Sequence, residues 1–203
     1  DADGMDIIYS GRDVSSGVAA EAALEARRRE LERQVRVDAL TGLANRRRFE
    51  EELDLALLRL RRHGTPLALM YLDVDHFKRI NDSHGHAAGD HVLCTFAQRL
   101  AGSVRATDLV VRLGGDEFAV VIEDARLPEA AEAVARKLVD GMREGIDIGG
   151  TLLVATTSIG IAYAAAPTDA VTLKAMADAA LYEAKQAGRD TWRIRPVPPA
   201  ADH

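Results

Sequence analysis

Residues 112–118 read Arg-Leu-Gly-Gly-Asp-Glu-Phe and join two short apolar runs, 109–111 and 118–122. An apolar run, a glycine-containing turn and a second apolar run predict a β-hairpin. The turn carries two adjacent carboxylates, Asp116 and Glu117, although like charges repel and acidic residues are disfavoured in strands. A divalent metal ion would favour both, because hard cations prefer carboxylate oxygens. The hairpin tip is therefore a candidate metal-binding site.

The composition is that of a globular protein with one principal domain. Of the 203 residues, 47% are hydrophobic, which is enough to fill a core. The net charge of −6 argues against a nucleic-acid partner. The single cysteine, Cys94, excludes an intramolecular disulfide and fits a reducing compartment, so a cytoplasmic location is expected. The sequence contains no apolar run long enough to predict a membrane span. Its acidic first residues do not resemble a signal peptide.

Two segments precede the main domain. Residues 1–16 contain one predicted strand, which either pairs with the main domain or belongs to a missing upstream one, because a single strand is not stable alone. Residues 17–38 are rich in Ala, Glu and Arg and predict a helix. Its narrow apolar stripe of Leu24, Leu31 and Val35 indicates a weak coiled-coil seam. This helix is either a solvated linker or a dimerising stalk that transmits a signal.

The rest of the chain alternates between helix and strand patterns. Apolar spacing and turn residues first predict a helix ending at Gly64, a strand over 67–75, a helical turn over 77–82 and a helix over about 88–102. The hairpin at 109–122 and a helix from Pro128 follow. The last predicted elements are a strand or strand pair over 152–164, a helix over 170–187 with Gly188 as its C-cap, and a strand over 191–194. This order predicts an α/β domain with a mixed sheet over 39–196, followed by a disordered tail at 197–203.

A second carboxylate pair, Asp73 and Asp75, ends a strand whose apolar run is typical of burial on both faces. If this strand neighbours the hairpin, three or four carboxylates converge with Asp116 and Glu117. Such a cluster predicts bound Mg²⁺ or Mn²⁺, with phosphate as a further ligand. Either pair taken alone would more often be a solvated turn.

Two well-known phosphate and metal motifs are absent. An EF-hand loop beginning at Asp73 is excluded, because Phe77 and Lys78 occupy its fifth and sixth positions. No P-loop sequence occurs. Backbone amides at the start of the following helical turn could hold phosphate instead. Lys185 and Arg189 could neutralise a polyphosphate, or could be ordinary surface charges.

The chain from about 38 to 195 resembles the GGDEF domain of the diguanylate cyclase family. The motifs that carry the resemblance are Asp38-x-Leu-Thr-Gly-Leu-x-Asn-Arg-Arg, Asp73-x-Asp-x-Phe-Lys-x-Ile-Asn-Asp-x-x-Gly-His-x-x-Gly-Asp90, the unaltered Gly114-Gly-Asp-Glu-Phe118, Ser158-Ile-Gly-Ile-Ala162 and Ala184-Lys-x-x-Gly-Arg189. The resemblance implies a palm-like, ferredoxin-like nucleotidyl cyclase fold with a mixed, mainly antiparallel sheet. It also implies that two GTP molecules yield cyclic di-GMP and two pyrophosphates across a homodimer, each domain holding one GTP.

The resemblance also implies roles for individual residues. Two Mg²⁺ or Mn²⁺ ions per half-site would be held by Asp73, the carbonyl of Val74, Asp116 and Glu117. Asp116 would also help to deprotonate the attacking 3′-hydroxyl. Guanine would be recognised by Asn81 and Asp90. Phosphates would be bound by His76, Phe77, Lys78, Lys185 and Arg189, while Gly114 and Gly115 would let the backbone approach the nucleotide.

A second site is implied just before the hairpin. Arg105-Ala-Thr-Asp108 resembles the family's Arg-x-x-Asp inhibitory motif, at which an intercalated dimer of cyclic di-GMP would bind. Arg136 resembles a secondary arginine contributed by the neighbouring domain. In an unrelated protein Arg105 and Asp108 would more often be a surface ion pair. Residues 1–16 resemble the last strand of a PAS sensor domain.

Two other functions are compatible with parts of this pattern. A non-catalytic receptor for GTP or cyclic di-GMP would keep the fold, although such receptors usually carry a degraded signature. An oligonucleotide polymerase with a palm-like fold would need a basic surface for its template, which this acidic chain does not offer.

Overall fold

The computed structural model describes residues 36–124 and 128–199, and its central element is a six-stranded sheet. The strands are β1 (Ala44–Asn45), β2 (Leu67–Val74), β3 (Leu109–Gly114), β4 (Glu117–Glu123), β7 (Thr157–Ala164) and β8 (Thr191–Pro196), and their order in the sheet is β1-β3-β4-β2-β7-β8. Strand β1 is parallel to β3 and β7 is parallel to β8, whereas the three central pairings are antiparallel. The predicted mixed, mainly antiparallel sheet is confirmed.

Helices cover both faces of this sheet. They are α1 (Arg46–His63), α2 (Phe77–His84), α3 (His86–Ala101), α4 (Pro128–Met142) and α5 (Ala170–Gln186). Alternate residues of β2 point to opposite faces: Met70 and Leu72 join a core with α3 and α4, while Leu67 and Leu69 join a core with α1 and α5. The apolar run of β2 is therefore buried on both faces, as its sequence predicts.

Local sequence explains where α1 starts and stops. The side chain of Asn45 accepts a hydrogen bond from the N–H of Arg48 at 3.2 Å, which caps the first turn. At the other end Gly64 takes a left-handed conformation with φ of 66°, and its N–H donates to the carbonyl of Leu60. The helix therefore ends where the sequence predicts.

Strand β7 approaches helix α5 at Gly160 more closely than any side chain would allow. A Cβ atom on Gly160 would lie 2.0 Å from the backbone nitrogen of Leu181 and 2.3 Å from the carbonyl oxygen of Ala177. Because Gly160 has no side chain, α5 can pack closely against the sheet at this point of the Ser-Ile-Gly-Ile-Ala segment.

Two details of the predicted elements need correction. The segment before β7 contains a separate hairpin, β5 (Ile146–Ile148) with β6 (Thr151–Leu153), closed by Gly149-Gly150. A Gly-Gly turn between short apolar runs is a hairpin signal, so the sequence contained the information. Helix α5 ends at Gln186 with Ala187 as its C-cap, one residue before the predicted end at 187 with Gly188 as the cap.

The predicted domain boundaries also shift at both ends. Val197, assigned to the tail, is buried and its N–H donates to the carbonyl of Tyr163 at 2.8 Å. Residues 36–38, assigned to the linker helix, are not helical: Val37 forms an antiparallel bridge with Ala44. The rest of the predicted stalk, the strand in residues 1–16 and the last residues of the tail lie outside the described part of the chain. Within the described part, no helix is both long and apolar enough to cross a lipid bilayer.

Candidate functional site

The structure brings the predicted metal residues to one end of two adjacent strands. Asp73, near the end of β2, lies directly opposite Glu117 at the start of β4. The N–H of Val74 donates to the carbonyl of Asp116 at 3.3 Å, which ties the hairpin tip to the strand end. The condition on which the carboxylates were expected to converge, that the buried strand neighbours the hairpin, is therefore met.

Asp73 is paired with a cation from the last helix. Its Oδ2 accepts a hydrogen bond from Nζ of Lys185 at 2.7 Å. Burial raises the pKa of the Asp73 carboxyl above its ordinary value; the bond and charge of Lys185 oppose this rise, and the nearby charges of Asp116 and Asp75 add to it. Negative charge is thus concentrated at a half-buried position, where a second cation would be favoured.

Asp75 does not join this cluster, contrary to the expectation that up to four carboxylates converge. It is buried, and its oxygens accept from the hydroxyls of Thr156 at 2.8 Å and Ser158 at 2.6 Å, and from the N–H of Asp190 at 3.1 Å. Among the described residues, no group of three or more His, Cys, Asp or Glu is arranged to hold a metal ion. Asp75 is turned away because these protein donors bind its oxygens, while one oxygen of Asp73 is bound by Lys185.

The backbone at the hairpin tip adopts positive φ angles, which its two glycines permit. Gly114 and Gly115 have φ angles of 140° and 56°, and the strand register shifts between Arg112 and Gly114. Arg112 holds the turn: its Nε and Nη2 donate to the carbonyl of Gly115 at 3.1 and 2.8 Å. Its Nη1 donates to Oδ1 of Asp38 at 3.0 Å, so the entry motif and the hairpin are joined.

The two residues predicted to recognise guanine lie on neighbouring helices. Asn81 is on α2, Asp90 is exposed on α3, and Gly85 separates the two helices. A Cβ atom on Gly89 would lie 1.9 Å from Oδ1 of Asn81. The bare backbone at Gly89 therefore gives the Asn81 amide the space that it occupies.

The segment predicted to face the phosphates begins with a left-handed residue. His76 has φ of 58° and precedes α2, and no side chain caps this helix. The first N–H groups of α2 can therefore bind an anion, and the helix dipole favours negative charge at this end. Phe77 is half-buried against the core, whereas Lys78 is exposed. Lys185 and Arg189 lie near the end of α5, and only Lys185 is shown to reach the carboxylates.

The predicted inhibitory motif forms a closed turn. Oδ2 of Asp108 accepts from the N–H of Arg105 at 2.8 Å, and burial raises the pKa of the Asp108 carboxyl, which contact with Arg105 opposes. Both residues line a pocket of about 220 Å³ between this turn and α4. Arg136 is not part of that lining; its guanidinium lies over the Trp192 ring at 5.8 Å.

Sequence reasoning missed the residues that support the site from behind. Arg112 stood in the quoted turn motif but received no role, although a lone arginine before two glycines can satisfy the exposed turn carbonyls. Arg46 donates to the carbonyl of Leu113 at 3.3 Å and lies 3.9 Å from Glu117. Long-range contacts of this kind carry no signal in sequence spacing.

The chain matches the family model "Diguanylate cyclase, GGDEF domain" over residues 35–191. The chain belongs to this family. Among curated proteins it is 41% identical over 179 residues to the diguanylate cyclase TpbB of Pseudomonas aeruginosa, covering 86% of this chain and 40% of that protein. The chain spans about two fifths or less of the length of the curated relatives that it matches.

Solved structures agree with this assignment. A truncated TpbB comprising only the GGDEF domain superposes with a TM-score of 0.73 at 40% identity, covering 78% of this chain and 93% of that one. The coiled coil and GGDEF domain of DgcB from Caulobacter crescentus, crystallised with cyclic di-GMP, superposes with a TM-score of 0.74 at 29% identity, covering 90% and 97%. The PAS-like interpretation of residues 1–16 finds no support in these comparisons.

Proposed function

We propose that two copies of this domain condense two GTP molecules into cyclic di-GMP and release two pyrophosphates. In each half-reaction the 3′-hydroxyl oxygen of one GTP bonds to the α-phosphorus of the other, and the bond to the departing pyrophosphate breaks. The observation that carries the proposal is the placement of Asp73 opposite Glu117, at the tip of an unaltered Gly-Gly-Asp-Glu-Phe turn.

The donor types at these strand ends suit a divalent metal, which members of this family typically use, and binding would have to draw together carboxylates that the described residues do not group around an ion. The donor set is entirely oxygen: the carboxylates of Asp73, Asp116 and Glu117 and the carbonyl of Val74, as Mg²⁺ or Mn²⁺ prefers. Burial is the main cause of the raised pKa of the Asp73 carboxyl and the charge of Asp116 adds to it, so a further cation would stabilise the ionised form. When bound, two ions would lower the pKa of the 3′-hydroxyl and offset charge on the phosphoryl oxygens. Asp116 would accept the 3′-hydroxyl proton.

The remaining predicted residues would bind and orient the nucleotide. Asp90 would accept hydrogen bonds from N1–H and the 2-amino group of guanine, and the Asn81 amide would bond the base edge. Adenine lacks both of those donors, which favours GTP over ATP. Residues 76–78 would contribute backbone N–H groups and the charge of Lys78, while Lys185 and Arg189 would neutralise the phosphates.

The reaction would be inhibited by its product at the pocket beside α4. Arg105 would donate to O6 and N7 of guanine, and Asp108 would accept from N1–H and the 2-amino group. Arg136, exposed on α4, would reach the ligand bound to a neighbouring domain. Product bound in this way would hold two domains apart, so that their half-sites could not meet.

Turnover of GTP with Mg²⁺ tests the catalytic proposal. The wild-type protein should release pyrophosphate and form cyclic di-GMP, and Asp116→Ala or Glu117→Ala should abolish both. Asp54→Asn, which removes an exposed carboxylate from α1, is the matched control and should retain activity. GTP binding without turnover, even when two copies are fused to force dimerisation, would favour the receptor function instead.

Inhibition by added cyclic di-GMP tests the second site. Arg105→Ala should shift the inhibition curve to higher product concentration while initial turnover is retained. Arg62→Ala, at an exposed arginine in the last turn of α1, should leave the curve where it is. An identical curve for Arg105→Ala and wild type would refute the assignment.

A further inference from the structure

Three consecutive residues between α5 and β8 have left-handed backbone conformations. Gly188, Arg189 and Asp190 have φ angles of 106°, 64° and 49°. Glycine adopts such angles freely, but a residue with a Cβ atom does so at an energetic cost, and two in succession are unusual. Strained backbone of this kind persists only where surrounding contacts over-determine it.

The Arg189 N–H donates to the carbonyl of Ala184 at 3.2 Å, and two groups from distant parts of the chain hold Asp190. The buried carboxylate of Asp75 accepts the Asp190 N–H at 3.1 Å. Arg143, just beyond the end of α4, donates from Nε to the Asp190 carboxylate at 2.8 Å and from Nη2 to the Asp190 carbonyl at 3.4 Å. The planar fork of an arginine can hold a side chain and a carbonyl at once, which a lysine cannot.

Asp75 is itself fixed. Its oxygens also accept from the hydroxyls of Thr156 and Ser158, and its own N–H donates to the carbonyl of Thr156 at 2.9 Å. It therefore ties the end of β2, which carries Asp73, to the turn that carries Arg189. This explains why a carboxylate beside the cluster points away from it.

The Arg189 guanidinium is left exposed by this arrangement. Within residues 36–124 and 128–199 it makes no ion pair, so the backbone of the turn fixes only the direction in which this side chain leaves the main chain. We infer that Asp75 and Arg143 are positioning residues, which hold the turn at 188–190 so that Arg189 faces the nucleotide phosphates. This inference rests on the proposed function for the role of Arg189, but the hold on the turn is independent of it.

Hydrogen exchange in the metal-free protein tests the hold on the turn without any activity. In Arg143→Gln the Asp190 amide and its neighbours should exchange roughly tenfold faster than in wild type, because the turn opens more often. Arg143→Lys should fall between the two. The matched control is Asp140→Asn, since Asp140 is the other partner of Arg143, at 2.9 Å, and does not touch the turn. Unchanged exchange in Arg143→Gln would overturn the inference.

Nucleotide affinity tests whether the turn acts through Arg189. The Kd for Mg²⁺–GTP should rise about three- to tenfold in Arg143→Gln, because the Arg189 contact is weakened rather than removed, and should not change in Asp140→Asn. In an Arg189→Gln background the same Arg143→Gln change should have no further effect, since the two are coupled. Independent, additive losses would mean a merely structural role and would overturn the inference.

The hydrogen-exchange and affinity experiments together distinguish a failure of this inference from a failure of the proposed function. A wild type that binds GTP without turnover would refute the cyclase activity and leave both arms interpretable. A wild type that does not bind GTP would refute the role given to Arg189, while hydrogen exchange would still decide whether Arg143 holds the turn.

Discussion

Lys185 donates a hydrogen bond to Oδ2 of Asp73 at 2.7 Å, so the last helix supplies a positive charge to the end of the central strand. The side chains of Asp73 and Lys185 are only 16% and 31% exposed, and two further carboxylates lie nearby. A protein cation thus occupies part of the position at which the metal is proposed to bind. The ammonium group and a metal ion would compete for the same carboxylate oxygen.

Removal of Lys185 should therefore strengthen the binding of a metal ion alone. In Lys185→Gln we expect Mn²⁺ without nucleotide to bind roughly three- to fivefold more tightly, corresponding to the ~0.6–1 kcal/mol of a partly exposed ion pair. Binding of Mg²⁺–GTP should weaken, because a phosphate partner is lost. Calorimetry measures both. Lys174→Gln, which breaks an ion pair with Glu50 elsewhere on α5, should change neither; weaker Mn²⁺ binding in Lys185→Gln would contradict the competition.

Gly160→Ala should destabilise the fold by at least about 2 kcal/mol, since the new Cβ would meet helix backbone rather than a movable side chain. Urea unfolding provides the measurement. Gly141→Ala is the control: Gly141 is in α4, where a Cβ atom would meet nothing beyond its own helix backbone, and alanine there should stabilise by about 0.5–1 kcal/mol. A neutral Gly160→Ala would show that α5 can move away from the sheet at little cost.

Phe118, the last residue of the signature, is fully buried and lies 4.6 Å from Phe96 between ring centroids. Phe118→Ala should lower the free energy of unfolding by about 3–5 kcal/mol, through lost burial and the cavity left behind. Val171→Ala, at a residue 78% exposed, should stay within about 0.5 kcal/mol of wild type. Equal effects of the two substitutions would contradict the role of Phe118 as a core residue beneath the turn.

Acid should weaken the connection between the entry motif and the hairpin. Burial alone would raise the pKa of the Asp38 carboxyl, but hydrogen bonds from Thr41 and Arg112 and the charge of Arg112 hold it below its ordinary value. A carboxylate with a lowered folded pKa stabilises the native state fully above its unfolded pKa of about 3.9, and this contribution is lost as the pH falls through the folded pKa.

The stability difference between wild type and Asp38→Asn should consequently be constant from neutral pH to about pH 5 and shrink below about pH 4. Urea unfolding at a series of pH values measures it. Thr41→Val, which removes only the hydroxyl bond of 2.7 Å, should show a smaller difference with the same pH dependence. A difference that does not vary between about pH 3 and 7 would contradict this account.

Much of the fold could be predicted because its signals are local. The run from Leu67 to Val74 is apolar on both faces, Asn45 and Gly64 bound the first helix, and two glycines close the signature hairpin. That Asp73 and Glu117 could meet was also visible in the sequence, as a condition on the two strands being neighbours, because both residues lie at strand ends. The β5–β6 hairpin was missed although its Gly-Gly turn is a local signal.

The parts of the site that could not be predicted depend on contacts between distant residues. Asp75 has the same sequence context as Asp73, yet Thr156, Ser158 and Asp190 turn it into a buried structural carboxylate. Nothing in the sequence spacing reveals that Arg143 reaches a backbone carbonyl in the turn at 188–190, or that Arg112 reaches Asp38. Such roles follow from tertiary packing, which determines the surroundings of every carboxylate at the site.

The two outer strands of the sheet bear on how copies of this domain could associate. Strand β1 is only two residues long, and β8 carries Arg193 and Arg195 and ends at Pro196. Very short, charged or proline-containing edge strands oppose the addition of a strand from another molecule. Sheets of two copies should therefore not merge edge to edge into one continuous sheet. Contact through the loops at the strand ends, which carry the signature turn, can form and separate without any strand being exchanged.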